Sequence, residues 1–166
     1  MCIFVYSKTI GGGICLRQPD KPMDRTIRSI ILTDDDEDDR DIFRSALQSI
    51  HPDVVLHTFA DGEELRAFLC HEPTELPHLV FLDINMPRLN GFECLAMLRE
   101  RYKPLELPVV MYTTSNDRAD QEKAARLGAN LYARKPSDYK ELKNLINRVL
   151  AIDWQERIVR RDGFVM

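Results

Sequence analysis

Five side chains in this sequence have the types and surroundings to handle a phosphoryl group. Asp34 and Asp35 follow the apolar run IILT, Asp83 follows LVFL, Thr113 closes VVMYT, and Lys135, beside Pro136, follows LYAR. Carboxylates gathered at one place repel one another. A hard divalent cation removes that conflict, and an all-oxygen set with positions left for water and phosphate suits Mg2+. Lys135 adds one positive charge and Thr113 a hydroxyl donor, so three carboxylates against Mg2+ and an ammonium are neutral by simple count. The chemistry of such a set is phosphoryl transfer with an aspartyl nucleophile. Each piece alone has a plainer explanation. The acidic run Asp34–Asp39, with Asp41, reads as a solvated helix start that complements the helix dipole. Asp38, Asp39 and Asp41 are assigned to that role, and Asp36 and Glu37 to the loop that opens the helix. Thr113 alone is a strand-end hydroxyl, Asp83 a turn cap, and Lys135-Pro136 an ordinary loop. The chemical reading requires that one fold bring all five to one edge.

The pattern between them supplies that fold. Short apolar, β-branched-rich runs at Ile27–Thr33, Val54–Phe59, Leu79–Asp83, Val109–Thr113 and Leu131–Ala133 are bounded by Asp, Gly or Pro, as buried strands are. Amphipathic stretches lie between and after them. Ile42, Phe43, Ala46, Leu47 and Ile50 mark one helix, and Leu65, Phe68 and Leu69 a second. Phe92, Leu95, Ala96, Leu98 and Arg99 mark a third. Ala124, Ala125 and Leu127 end at Gly128, a good residue just past a helix. Asp138 with Glu141 opens the last, which continues through Leu142, Leu145, Ile146, Val149 and Leu150. Five strands alternating with five helices predict an α/β fold: a flavodoxin-like, doubly wound parallel sheet of order 2-1-3-4-5 with helices on both faces. Ligands of such sheets bind beyond the carboxyl ends of the strands, where the strand order reverses between strands 1 and 3. All five chemical side chains fall at those ends.

The composition fits one ordinary domain. The 166 residues carry 23 basic and 27 acidic side chains for a net charge of −4, with 44% hydrophobic and 30% charged residues. That balance argues against disorder and against a general attraction to nucleic acid or anionic membrane. No run approaches the ~20 apolar residues of a membrane span. Cys2, Cys15, Cys70 and Cys94 form no CxxC and have no histidine at metal spacing, so they read as reduced thiols in the cytoplasm. His51, His57, His71 and His78 have no nucleophile partner and read as structural. Residues 1–26, with Gly11-Gly12-Gly13, Pro19 and Pro22, read as a flexible leader. Patterning starts near Met23, which is consistent with a start site upstream of the natural one.

The stretch from about Ile27 to Leu150 resembles the receiver domain of two-component response regulators (CheY-like). The segments that carry the resemblance are IILTDDDEDD, LVFLDINMPRLNG, VVMYTTS and LGANLYARKPSD. It implies that Asp83 accepts a phosphoryl group from the phosphohistidine of a sensor histidine kinase, so the domain catalyses only its own phosphorylation and dephosphorylation. It implies that Asp35 and Asp83 hold Mg2+ directly, with the backbone carbonyl of Asn85, and Asp34 mostly through water. Lys135 would pair with the phosphate or the metal's carboxylates, and Thr113 would donate to the phosphate. Tyr132 would rotate inward behind Thr113, changing the surface of helix 4, strand 5 and helix 5 over about residues 117–150.

Residues 151–166, AIDWQERIVRRDGFVM, are too few for a helix-turn-helix module, so no DNA-binding domain is expected in them. Arg157, Arg160 and Arg161 read as a solvated tail. Trp154, Ile158, Val159, Phe164 and Val165 are too apolar for that, and predict packing on the domain or against a second copy. The tail resembles that of stand-alone receivers working with phytochrome-type or hybrid kinases, which implies a homodimer. An alternative within the family is a relay that passes its phosphoryl group to a histidine phosphotransfer protein. Outside it stands an Mg2+-dependent aspartyl phosphatase of the haloacid dehalogenase kind. That chemistry needs a second carboxylate two residues after the nucleophile, where this chain has Asn85. A third reading, a receiver reduced to a constitutive binding module, is disfavoured by the presence of all five chemical residues.

Overall fold

The computed structural model describes residues 27–71, 75–154 and 164–166. The leader, Cys2, Cys15 and the tail residues Arg157, Ile158, Val159, Arg160 and Arg161 lie outside the described residues. Five strands, β1 (Ser29–Thr33), β2 (Val55–Phe59), β3 (Leu79–Leu82), β4 (Val109–Thr113) and β5 (Leu131–Arg134), form one parallel sheet in the order β2-β1-β3-β4-β5. They alternate with α1 (Glu37–Ile50), α2 (Gly62–Cys70), α3 (Gly91–Arg101), α4 (Arg118–Arg126) and α5 (Tyr139–Leu150). The predicted architecture and order are those of the structure.

A parallel sheet covered on both faces needs strands apolar on both sides, and β3 and β4 are buried at every residue. One face packs against α1 and α5, with Phe43, Leu47, Phe81, Tyr112, Leu142 and Ile146 at its centre. The rings of Phe43, Phe81 and Tyr112 meet edge to face, with centroids 5.0–5.8 Å apart. The other face packs against α2, α3 and α4 through Leu65, Leu82, Leu95, Leu98, Val109 and Ala124.

The helix starts are set by short polar caps. Asp36, Asp61, Asn90, Asp117 and Asp138 each accept from backbone N–H groups of the first turn. A two-way capping box forms at Asn90 and Glu93. Gly128 ends α4 with φ +88°, the left-handed turn that glycine adopts most easily. Arg99, on α3, secures the same corner: its guanidinium donates to the carbonyls of Gly128 (2.8 Å) and Leu107 (3.0 Å) and to Asn130 Oδ1 (2.8 Å). Burial lowers its pKa to about 10.

Trp154 joins the α1/α5 cluster, Phe164 packs against the opposite one, and Met166 against the first. Residues 164–166 lie parallel to the outer edge of β5. Tyr132 N–H donates to Phe164 O (2.7 Å), Met166 N–H to Tyr132 O (2.8 Å) and Arg134 N–H to Met166 O (3.0 Å). Backbone groups on an otherwise open sheet edge are thereby satisfied. Among the described residues, no helix is long and apolar enough to cross a membrane.

Candidate functional site

The strand ladder runs one residue past β1, β3 and β5, and this places the chemistry. Asp34 N–H donates to Phe59 O (3.0 Å), Asp83 N–H to Thr33 O (2.9 Å) and Lys135 N–H to Thr113 O (2.8 Å). Each side chain is therefore fixed by a backbone bond made at the sheet's carboxyl edge. Carboxylate oxygens of Asp34, Asp35 and Asp83 all lie within 4.8 Å of one another. Asp34 and Asp83 are buried and Asp35 is exposed, so the cluster opens to solvent on one side. Thr113, the last residue of β4 at the same edge of the sheet, is fully buried. Asn85, two residues after Asp83, is exposed.

Lys135 Nζ reaches over the cluster, 2.7 Å from Asp34 Oδ2, 2.8 Å from Asp39 Oδ2 and 3.5 Å from Asp83 Oδ2. Its side chain is only 9% exposed. Burial alone would lower its pKa, but the close contact with Asp34, the hydrogen bond to Asp39 and the nearby carboxylate charges outweigh that and raise it. Lys135 is therefore a permanent cation. Burial pushes Asp34 up to about 6, against the pull of Lys135. Although close to the ammonium, Asp34 Oδ2 makes no well-directed hydrogen bond, and it is sealed from water. An under-satisfied buried carboxylate oxygen in an all-oxygen cluster is what a hard cation would complete, so the residues fit Mg2+.

The β3–α3 loop is clamped against the site. A Cβ on Gly91 would stand 2.1 Å from the Asp83 carbonyl oxygen, so only glycine permits the approach. Leu89 N–H donates to Pro87 O (2.9 Å), a three-residue turn centred on Arg88, whose φ is +67°. Arg88 also pairs with the buried Asp61, the cap of α2. Asp83 itself accepts from Ile84 N–H through Oδ1 at 2.7 Å.

Behind β4, Thr113 Oγ1 accepts from Ser115 N–H (3.3 Å), and Ser115 Oγ donates to Asp120 (2.7 Å). Tyr132, 1% exposed, donates its hydroxyl proton to Ser115 O (3.1 Å), and burial raises its pKa. The ring is thus already turned inward, with Phe164 at 6.4 Å between centroids.

All five chemical residues named from the sequence meet at one edge. Sequence reasoning missed Asp39, assigned to a solvated helix face but found on Lys135. It also missed the Arg88–Asp61 pair. The only available signal for Asp39 was its position in the first turn of α1, the end of the helix nearest the strand ends.

A family model described as the response regulator receiver domain matches residues 30–147. A probable transcriptional regulator, ycf27, of Cyanophora paradoxa is 36% identical over 123 residues, which cover 74% of this chain and 48% of the relative. The chain thus spans about half the length of that curated relative. Among solved structures, the phosphorylated cyanobacterial phytochrome response regulator RcpA superposes with a TM-score of 0.65 at 27% identity, over 74% of this chain and 90% of that one. The Mn2+-bound form of response regulator Rcp1 superposes with a TM-score of 0.64 at 28% identity, over 74% and 91%.

Proposed function

The chain belongs to the response regulator receiver family, and from that premise we propose that it is a phosphoryl-accepting switch using Asp83 as acceptor and Mg2+ as cofactor. The observation that carries this reading is the convergence of three carboxylate oxygens within 4.8 Å, under the Lys135 ammonium, at the carboxyl edge of the sheet. The metal-bound relative and the phosphorylated relative support it.

In the proposed reaction, a carboxylate oxygen of Asp83 forms a bond to phosphorus as the phosphorus–nitrogen bond of a kinase phosphohistidine breaks. The electron pair returns to the imidazole. Asp35, Asp83 and the Asn85 carbonyl would hold Mg2+ directly and Asp34 through water, and the ion would supply electrostatic stabilisation of the transferred oxygens. Lys135 supplies the second positive charge. Thr113 Oγ1 accepts from Ser115 N–H, which leaves its own proton free to donate to a phosphoryl oxygen. That donation pulls on the Thr113–Ser115–Tyr132 chain, and through it on α4, β5 and α5.

The output of the switch is protein contact through that surface, in the cytoplasm, with a sensor histidine kinase as donor. Onward relay to a histidine phosphotransfer protein is the second reading. The haloacid dehalogenase-type phosphatase is not favoured, because Asn85 stands where the second carboxylate would be.

The test is intact mass after incubation with Mg2+ and a small acyl-phosphate donor. One added phosphoryl group per chain is expected, and none in excess EDTA. No adduct, together with no Mg2+-dependent spectral change on adding beryllofluoride, would overturn the reading. The surface around α4, β5 and α5 is also proposed as a homodimer contact. Sedimentation is expected to show dimer at high concentration; monomer with and without beryllofluoride would exclude it.

A further inference from the structure

The carboxylate of Asp39 is as close to Lys135 as that of Asp34, yet it stands outside the cluster that would take a metal. Asp39 lies in the first turn of α1 and is half-exposed. Its backbone N–H is tied to the cap residue Asp36 at 3.2 Å, which fixes its place in the helix. Its Oδ2 accepts a 2.8 Å hydrogen bond from Lys135 Nζ, whereas Asp83 Oδ2 is 3.5 Å away. The ammonium therefore leans away from the acceptor, towards Asp34 and Asp39.

A divalent cation and this ammonium are like charges that draw on the same carboxylates, Asp34 and Asp83. A lysine held only by those two would have to be displaced, or left facing the metal with its partners taken. Nearly buried, it cannot turn to water without repacking. Resting on the reading that the cluster binds Mg2+, we infer that Asp39 is a positioning residue that keeps the Lys135 ammonium at the site while the metal draws on Asp83 directly and on Asp34 through water. Lysine and metal then occupy the pocket together, and the ammonium stays within reach of an arriving phosphoryl group.

The test is a double-mutant cycle on Mg2+ affinity, measured by calorimetry with the metal alone and no phosphodonor. Asp39→Asn keeps the side-chain shape and removes the charge. With Lys135 present it is expected to weaken Mg2+ binding about fivefold, the worth of one partly exposed charge-assisted hydrogen bond. In a Lys135→Met background, Asp39→Asn is expected to change affinity by less than about twofold, because there is no ammonium left to place. Asp38→Asn, an exposed neighbour in the same helical turn, measures the plain effect of removing one acidic charge and is expected to match that small change. Equal weakening with and without Lys135, or weakening no greater than that of Asp38→Asn, would overturn the inference. Wild type that binds no Mg2+ at millimolar concentration would instead overturn the metal reading beneath it. Thermal melting of each variant identifies any loss of fold.

Discussion

Asp83→Asn is expected to take up no phosphoryl group under conditions that label the wild type, while folding normally. The amide nitrogen and oxygen of asparagine are poor nucleophiles toward phosphorus, so the rate should fall by about a thousandfold or more. The fold has little reason to change. The side-chain oxygen of asparagine can still accept from Ile84 N–H, the 2.7 Å bond that fixes the acceptor's orientation. Lys135 loses only its longest contact, at 3.5 Å, and keeps Asp34 and Asp39. Removing one of three crowded carboxylates also relieves repulsion in the metal-free protein. Intact mass over time, with thermal melting of the same samples, reads both halves. Labelling at the wild-type rate would mean that another residue is the acceptor.

How far the sequence carried depends on which interactions set each feature. β4 lies at Val109–Thr113 as the pattern predicts, because a central strand buried on both faces is a continuous apolar run between polar stops. The outer parts were less sharp. The expected first strand began at Ile27 and the observed β1 begins at Ser29, where the paired register with β2 starts at Val55. β5 extends to Arg134, one residue past the apolar run, because Arg134 pairs with Thr113 of β4 and its N–H is accepted by residue 166. The site was legible because parallel topology brings strand ends together whatever lies between them. Asp39 was not legible, because its role depends on a lysine 96 positions away reaching back across the sheet edge. Nor was the inward seat of Tyr132, which takes the carbonyl of Ser115 and the ring of Phe164 to define. Local pattern reports what one element buries; it is silent on which distant side chain meets an exposed-looking position.

Asp34→Asn is expected to stabilise the metal-free protein at neutral pH and to reduce the stabilisation that Mg2+ gives the wild type. The cause is the burial that lifts Asp34 from its ordinary 3.8 to about 6. A carboxyl group with a raised folded-state pKa binds its proton more tightly folded than unfolded. Its contribution to stability is full below the unfolded value and lost as pH rises through about 6. Above that, the ionised carboxylate is a net cost, even with Lys135 beside it, of roughly 2–3 kcal/mol at most. Asparagine stands in for the protonated form at every pH. In EDTA at pH 7.5 the variant should therefore be the more stable by up to about 2 kcal/mol, with the difference shrinking toward pH 5 as wild-type Asp34 takes up its proton. Millimolar Mg2+ should narrow or reverse the difference at pH 7.5, because a ligand that binds only the folded state stabilises as the logarithm of one plus its concentration over Kd, and the variant binds more weakly. Urea unfolding at the two pH values, with EDTA and with Mg2+, measures all four corners. A variant less stable than wild type in EDTA at pH 7.5 would show that the Asp34–Lys135 contact outweighs the burial of the charge. Mg2+ stabilisation equal in both proteins would remove Asp34 from the metal site.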